Sequence, residues 1–150
     1  MKILKAKLVN FFKKEPNVVG VLIYGSYARG KQNRASDLDI AVLTKNKLTR
    51  KESTERRIHY SLRLSRLLRK NVDVVLLRDA PLLLRFNIFK EGKKVYVADK
   101  AILTNFKART VVEYLDFKHL EDFFFDNMIK KMKERLSGKY SCSKKENKQH

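Results

Sequence analysis

The chain has 150 residues, with 35 Lys and Arg against 16 Asp and Glu, and a single cysteine. That length suits one domain with a core of its own; one cysteine excludes an internal disulfide framework, and Cys142 alone cannot form a zinc site. The formal net charge of +19 describes either a lysine-rich soluble protein or one whose field draws in a polyanion: a nucleotide, a nucleic acid or an acidic protein.

Residues 2–14 predict a short helix with Ile3, Leu4, Leu8, Phe11 and Phe12 on one side. Lys2, Lys5 and Lys7 interrupt its apolar residues, and no small-residue cleavage site follows, so it does not read as a secretory signal. No apolar run approaches the roughly 18 residues of a bilayer span. The expectation is a cytoplasmic protein with no membrane partner. After Pro16-Asn17, the near-continuous apolar run 18–24 predicts a strand buried on both faces. Gly25-Ser26 ends it, and a short helix is expected at 27–31. A second strand is expected at 37–43, a helix at 52–70, and a third strand at 72–77. Residues 80–90 predict a helix with Pro81 in its first turn, closed by Gly92. A short fourth strand is expected at 94–98. Residues 100–137 predict two helices that break near Leu115-Asp116-Phe117. The order predicts an α+β (mixed α/β) domain over 1–138, with about four strands in a small mixed sheet, helices packed on it and a helical C-terminal segment. The basic tail at 139–150 is expected to lack fixed structure.

The stretch Gly25-Ser26-Tyr27-Ala28-Arg29-Gly30 through Ser36-Asp37-Leu38-Asp39 carries the chemistry. Gly25 lets backbone approach a ligand closely. Ser26 adds a hydroxyl beside free N–H groups where a helix begins, which suits phosphate. Asp37 and Asp39, two apart on a strand, put both carboxylates on one face. Such a pair repels itself unless a cation sits between them, and Mg²⁺ takes one or two carboxylates plus phosphate oxygens. Asp73, in the otherwise apolar VDVVLL strand, is expected to be buried or at a pocket lip. It can face the other two if its strand neighbours theirs. Three carboxylates around two metal ions suit nucleotidyl transfer. The plainer alternatives are a common strand-to-helix turn at 25–26, a strand start at Asp37 and an Asp73–arginine pair.

Gly25-Ser26, ten residues, then Asp37-Leu38-Asp39 resembles the signature of the DNA polymerase beta-like nucleotidyltransferase superfamily. GSYARGKQNRASDLDIAVL resembles its minimal nucleotidyltransferase (MNT) branch. Asp73 sits where the superfamily carries its third carboxylate. The segments DAPLLLRFNIFKEGKKVYVAD and YLDFKHLEDFFFDNMIKKMKERL resemble members encoded beside HEPN-domain proteins. The resemblance covers roughly residues 18–138. It implies a small mixed sheet with helices on one side, and MgATP as the source of AMP. It also implies an antitoxin role, by adenylylation of a tyrosine on a HEPN ribonuclease toxin. By that resemblance Gly25 and Ser26 hold the triphosphate and Asp37 and Asp39 bind Mg²⁺. Asp73 completes the metal site or acts as base, and Arg29 touches phosphate or pairs with an acid.

His59 and His119 read as surface or packing residues rather than ligands, and neither has the upstream arginine of a HEPN ribonuclease motif. Cys142 needs no role. Phe123, Phe124 and Phe125 cannot all face one side of a helix, because successive residues turn by about 100°. Core packing is expected to absorb Leu120, Phe124 and Met128, which leaves one Phe for a partner; dimerisation stays open. Two other functions compete with protein adenylylation. One is an antitoxin that acts by occlusion alone. The other is a nucleotidyltransferase directed at RNA or tRNA, which the charge suggests and which lacks a base-reading motif.

Overall fold

A computed structural model of the protein describes residues 2–33 and 35–143. The order is α1 (Lys2–Phe12), β1 (Val18–Tyr24), α2 (Gly25–Ala28), β2 (Leu38–Thr44), α3 (Arg50–Leu68), β3 (Val72–Leu76), α4 (Leu82–Glu91), β4 (Lys93–Val97) and α5 (Lys100–Ser143). The strands form one mixed sheet in the order β3-β2-β1-β4. β1 is antiparallel to both its neighbours, and β3 lies parallel to β2 after the crossover through α3. This is the α+β fold the pattern predicts.

The apolar runs in β1 and β2 bury both faces. On one face Val21, Ile23, Ile40, Val42, Val74 and Leu76 pack against Leu8 and Phe12 of α1 and Tyr60 and Leu64 of α3. Phe12 and Tyr60 meet edge to face, with centroids 5.4 Å apart. Each such large side chain stabilises the fold by roughly 1.5–3 kcal/mol when fully buried. On the other face Val19, Leu22, Ala41, Leu43 and Leu77 pack against Ile88 and Phe89 of α4 and Leu103 of α5. Gly20 keeps this layer close, since a Cβ there would lie 3.1 Å from Leu103 Cδ1. Helices therefore cover both faces, not one as the resemblance implies. Strands apolar on both sides leave no face fit for water.

Local chemistry sets the boundaries. Thr49 and Glu52 form a reciprocal capping box, so α3 begins at Arg50, ahead of the expected start. Pro81 is the N-cap of α4. The expected break near residue 116 is absent: α5 is one helix of 44 residues. No glycine or proline lies between Lys100 and Ser137 to interrupt it.

The chain divides into two compact units, Met1–Val111 and Val112–His150. In the second, the expected core role of Leu120, Phe124 and Met128 is not met: they are 56%, 68% and 49% exposed. Phe123 and Phe125 are exposed as well. Of the basic tail, backbone helix extends to Ser143, and 144–150 lie outside the described residues. Among the described residues, no helix is long and apolar enough to cross a membrane.

Candidate active site

β1 ends where β2 and β3 begin, because β1 runs against β2 and β3 runs with it. The turn at 25–26, Asp37 just before β2 (which starts at Leu38, one residue later than expected), Asp39 at the start of β2 and Asp73 at the start of β3 therefore share one end of the sheet. Asp39 stands directly opposite Tyr24 on β1 and directly beside Asp73 on β3. Alternation decides the face. Ile40 and Val42, like Val72 and Val74, belong to the layer under α1 and α3. Asp39 and Asp73 thus project from the opposite face, the side of α4.

Gly25 opens α2 at φ +66°, a conformation that costs a side chain dearly, and a Cβ there would collide with Asp39 Oδ2. The close approach the sequence pattern anticipates is thus, first of all, that of Asp39's own carboxylate. Ser26 follows, half-buried, and its carbonyl accepts the Lys31 N–H at 2.9 Å. Arg29 caps the turn, and its Nη1 donates to Glu91 Oε2 at 3.1 Å.

The charges act on one another. Burial raises the Asp39 carboxyl above its ordinary value, the Asp73 and Asp37 carboxylates raise it further, and Arg29 opposes them. Burial, then the Asp39 and Asp73 carboxylates, push the Tyr24 phenol up to about 12. Asp73 is exposed, so of its two expected settings, buried or at a pocket lip, the buried one is not met, and Asp37 is exposed too. Near the start of the short strand β3, Asp73 meets water.

Among the described residues, no three carboxylate, histidine or cysteine side chains are grouped so as to hold a metal ion by themselves. The carboxylates still suit Mg²⁺, which takes one or two of them and completes its shell with phosphate oxygens and water. A carboxyl whose ionisation is opposed by its neighbours is one that a divalent cation stabilises.

Tyr24 is the site neighbour that motif reasoning passed over. Its signal was its position, last in the strand before Gly-Ser and in phase with Asp39. Glu91 had no signal, since it reaches Arg29 across 62 residues. A cavity of about 580 Å³ opens at the other end of the sheet, lined by Lys47, Arg50, Arg57 and Leu84 among others, and it contains none of the three acids.

Comparison with known proteins adds to this geometry. The family described as "Polymerase beta, Nucleotidyltransferase" matches residues 6–101. The protein adenylyltransferase MntA of Shewanella oneidensis is 33% identical over 81 residues, which are 54% of this chain and 55% of that protein. The chain thus aligns with little more than half the length of this relative. A crystal structure of a toxin-antitoxin with AMP-PNP matches with a TM-score of 0.70 at 25% identity, covering 83% of this chain and 98% of that one. A tri-AMPylated Shewanella oneidensis HEPN toxin in complex with an MNT antitoxin matches with a TM-score of 0.66 at 22% identity, over 85% of this chain and 98% of that one. This last likeness is one of fold alone.

Proposed function

The chain belongs to the polymerase beta nucleotidyltransferase family, and from that premise we propose that it transfers AMP from ATP to a tyrosine of a HEPN ribonuclease toxin, acting as the antitoxin. One observation carries the reading. Asp39 and Asp73 lie in register on adjacent strands, beside a glycine that leaves room for the first of them. The name protein adenylyltransferase borne by the MntA relative supports the reaction type. The toxin-antitoxin with AMP-PNP supports an adenine nucleotide and a protein partner.

In this reading Gly25 and Ser26 hold the triphosphate, and Arg29 adds a positive charge beside it. Asp37, Asp39 and Asp73 hold Mg²⁺, in one or two ions, which when bound offsets the charge on the phosphate oxygens. Asp73, open to solvent, faces the entering acceptor and takes the proton from its hydroxyl. The acceptor oxygen bonds to the α-phosphorus, the bond to the bridging oxygen breaks, and pyrophosphate leaves. Asp39, held between Tyr24 and Asp73, fixes the position of this cluster.

The test is to incubate the chain with MgATP and the product of its neighbouring gene, which this reading expects to be a HEPN ribonuclease, then weigh both. The expected result is a toxin heavier by one or more AMP groups carried on tyrosine, with no gain when the chain is Asp39→Asn. A toxin silenced without any gain in mass would replace this reading with occlusion.

A further inference from the structure

Residues 112–137 of α5 belong to the second unit and expose ten large apolar side chains to water. Leu120, Phe124, Met128, Met132 and Leu136 follow one another at four-residue intervals, each about half exposed or more. A row at this spacing is a ridge that the groove of another helix accepts. An exposed apolar row of this length marks an interface.

The charges say which helix fits it. Residues 112–126 hold five acids and one base, net −4, and residues 127–137 hold four bases and one acid, net +3. The whole segment carries −1 in a chain of +19, so a second copy can approach here without the repulsion it meets elsewhere. Laid antiparallel, the acidic half of each copy runs along the basic half of the other. Laid parallel, like charge meets like. Four of the five apolar residues share this symmetry: reversed about position 126, Leu120 falls opposite Met132 and Phe124 opposite Met128, while Leu136 falls opposite Asp116. Asp126 itself sits two residues from Phe124 and Met128, about 200° round the helix and off the row.

We propose that this part of α5 is an antiparallel dimerisation helix whose partner is a second copy of the same chain. The proposal stands apart from nucleotide chemistry and does not require it.

The test uses the full chain with Cys142→Ser, followed by analytical ultracentrifugation, with circular dichroism as the control for folding. The parent is expected to be a dimer at micromolar concentration. Phe124→Ser with Met128→Ser is expected to give a monomer of unchanged helix content. Glu121→Lys with Asp122→Lys is expected to raise the dissociation constant by about tenfold or more, since basic then meets basic. Adding Lys130→Glu and Lys131→Glu to that chain is expected to restore the dimer, because both halves are then reversed together. A monomeric parent overturns the proposal, as does a fourfold variant no tighter than the twofold one. A parent that stays monomeric and buries this row only against the toxin overturns it in favour of that partner.

Discussion

Asp39 Oδ2 occupies the space that a Cβ at position 25 would take, so the glycine and the aspartate form one unit of the site. The backbone at Gly25 also has φ +66°. Gly25→Ala therefore brings two penalties, a left-handed alanine and a displaced carboxylate. The first costs about 1–2 kcal/mol of stability. The second is expected to lower kcat/KM by about 100-fold, the usual cost of a misplacement near 1 Å. Ser26→Ala leaves Asp39 in place, so it is expected to raise KM for ATP with a smaller loss of kcat. Steady-state kinetics beside thermal melts separates the two.

Asp39 predicts a trade between stability and activity. Its carboxyl is raised above the ordinary 3.8, so the folded protein holds that proton more tightly than the unfolded chain does. The sign follows by linkage: this group's contribution is fully present below pH 3.8 and is lost as pH rises through the raised value. At neutral pH, Asp39→Asn removes a charge that Asp73 and Asp37 oppose. It is expected to raise Tm by about 1–3 °C while abolishing transfer. The gain is expected to vanish in acid. Mg²⁺ is expected to stabilise the parent and to leave the variant nearly unchanged. A destabilised Asn variant at neutral pH would contradict this account.

Tyr24 predicts the alkaline behaviour. With its phenol pushed up to about 12 by burial and the two acids, it ionises later in the folded state than in the unfolded chain, whose value is 10.0. Stability from this group is present below pH 10 and is lost as pH rises toward 12. Of the six tyrosines, Tyr24 is expected among the last to ionise, with Tyr60, which burial also raises. Tyrosinate absorbance in Tyr24→Phe is expected to lose that late step and to leave the earlier ones unchanged.

The site was legible where spacing alone decides geometry. Asp39 is legible as the acid that opens an apolar strand, although Asp37, expected on the same strand face, falls just before β2; Gly25-Ser26 declares a turn after a buried strand. What spacing cannot state is which strands are neighbours. The register of Asp39 against Asp73 depends on α3 carrying the chain back to lay β3 parallel to β2. The same gap hides Glu91, which meets Arg29 only once α4 is folded. In α5 the pattern misled in another way. The apolar positions drift round the helix, so they resemble two short amphipathic segments, whereas no residue there breaks a helix. Exposure at Leu120 and Phe124 was illegible because an apolar row reads the same whether its partner is the chain's own core or another molecule.

The Arg29–Glu91 pair supplies the last prediction. It joins two side chains that are 52% and 44% exposed, so it is worth less than about 1 kcal/mol to the fold. Arg29 also lowers the Asp39 carboxyl, which Glu91 does not do. Arg29→Ala is therefore expected to change Tm little and to let the Asp39 carboxyl rise further. The acid limb of the pH–rate profile then moves to higher pH, and KM for ATP rises. Glu91→Gln breaks the same bridge but leaves the guanidinium in place, so the acid limb and KM are expected to hold or to improve. If both variants move the profile equally, Arg29 serves only the bridge, and its place beside the triphosphate is lost.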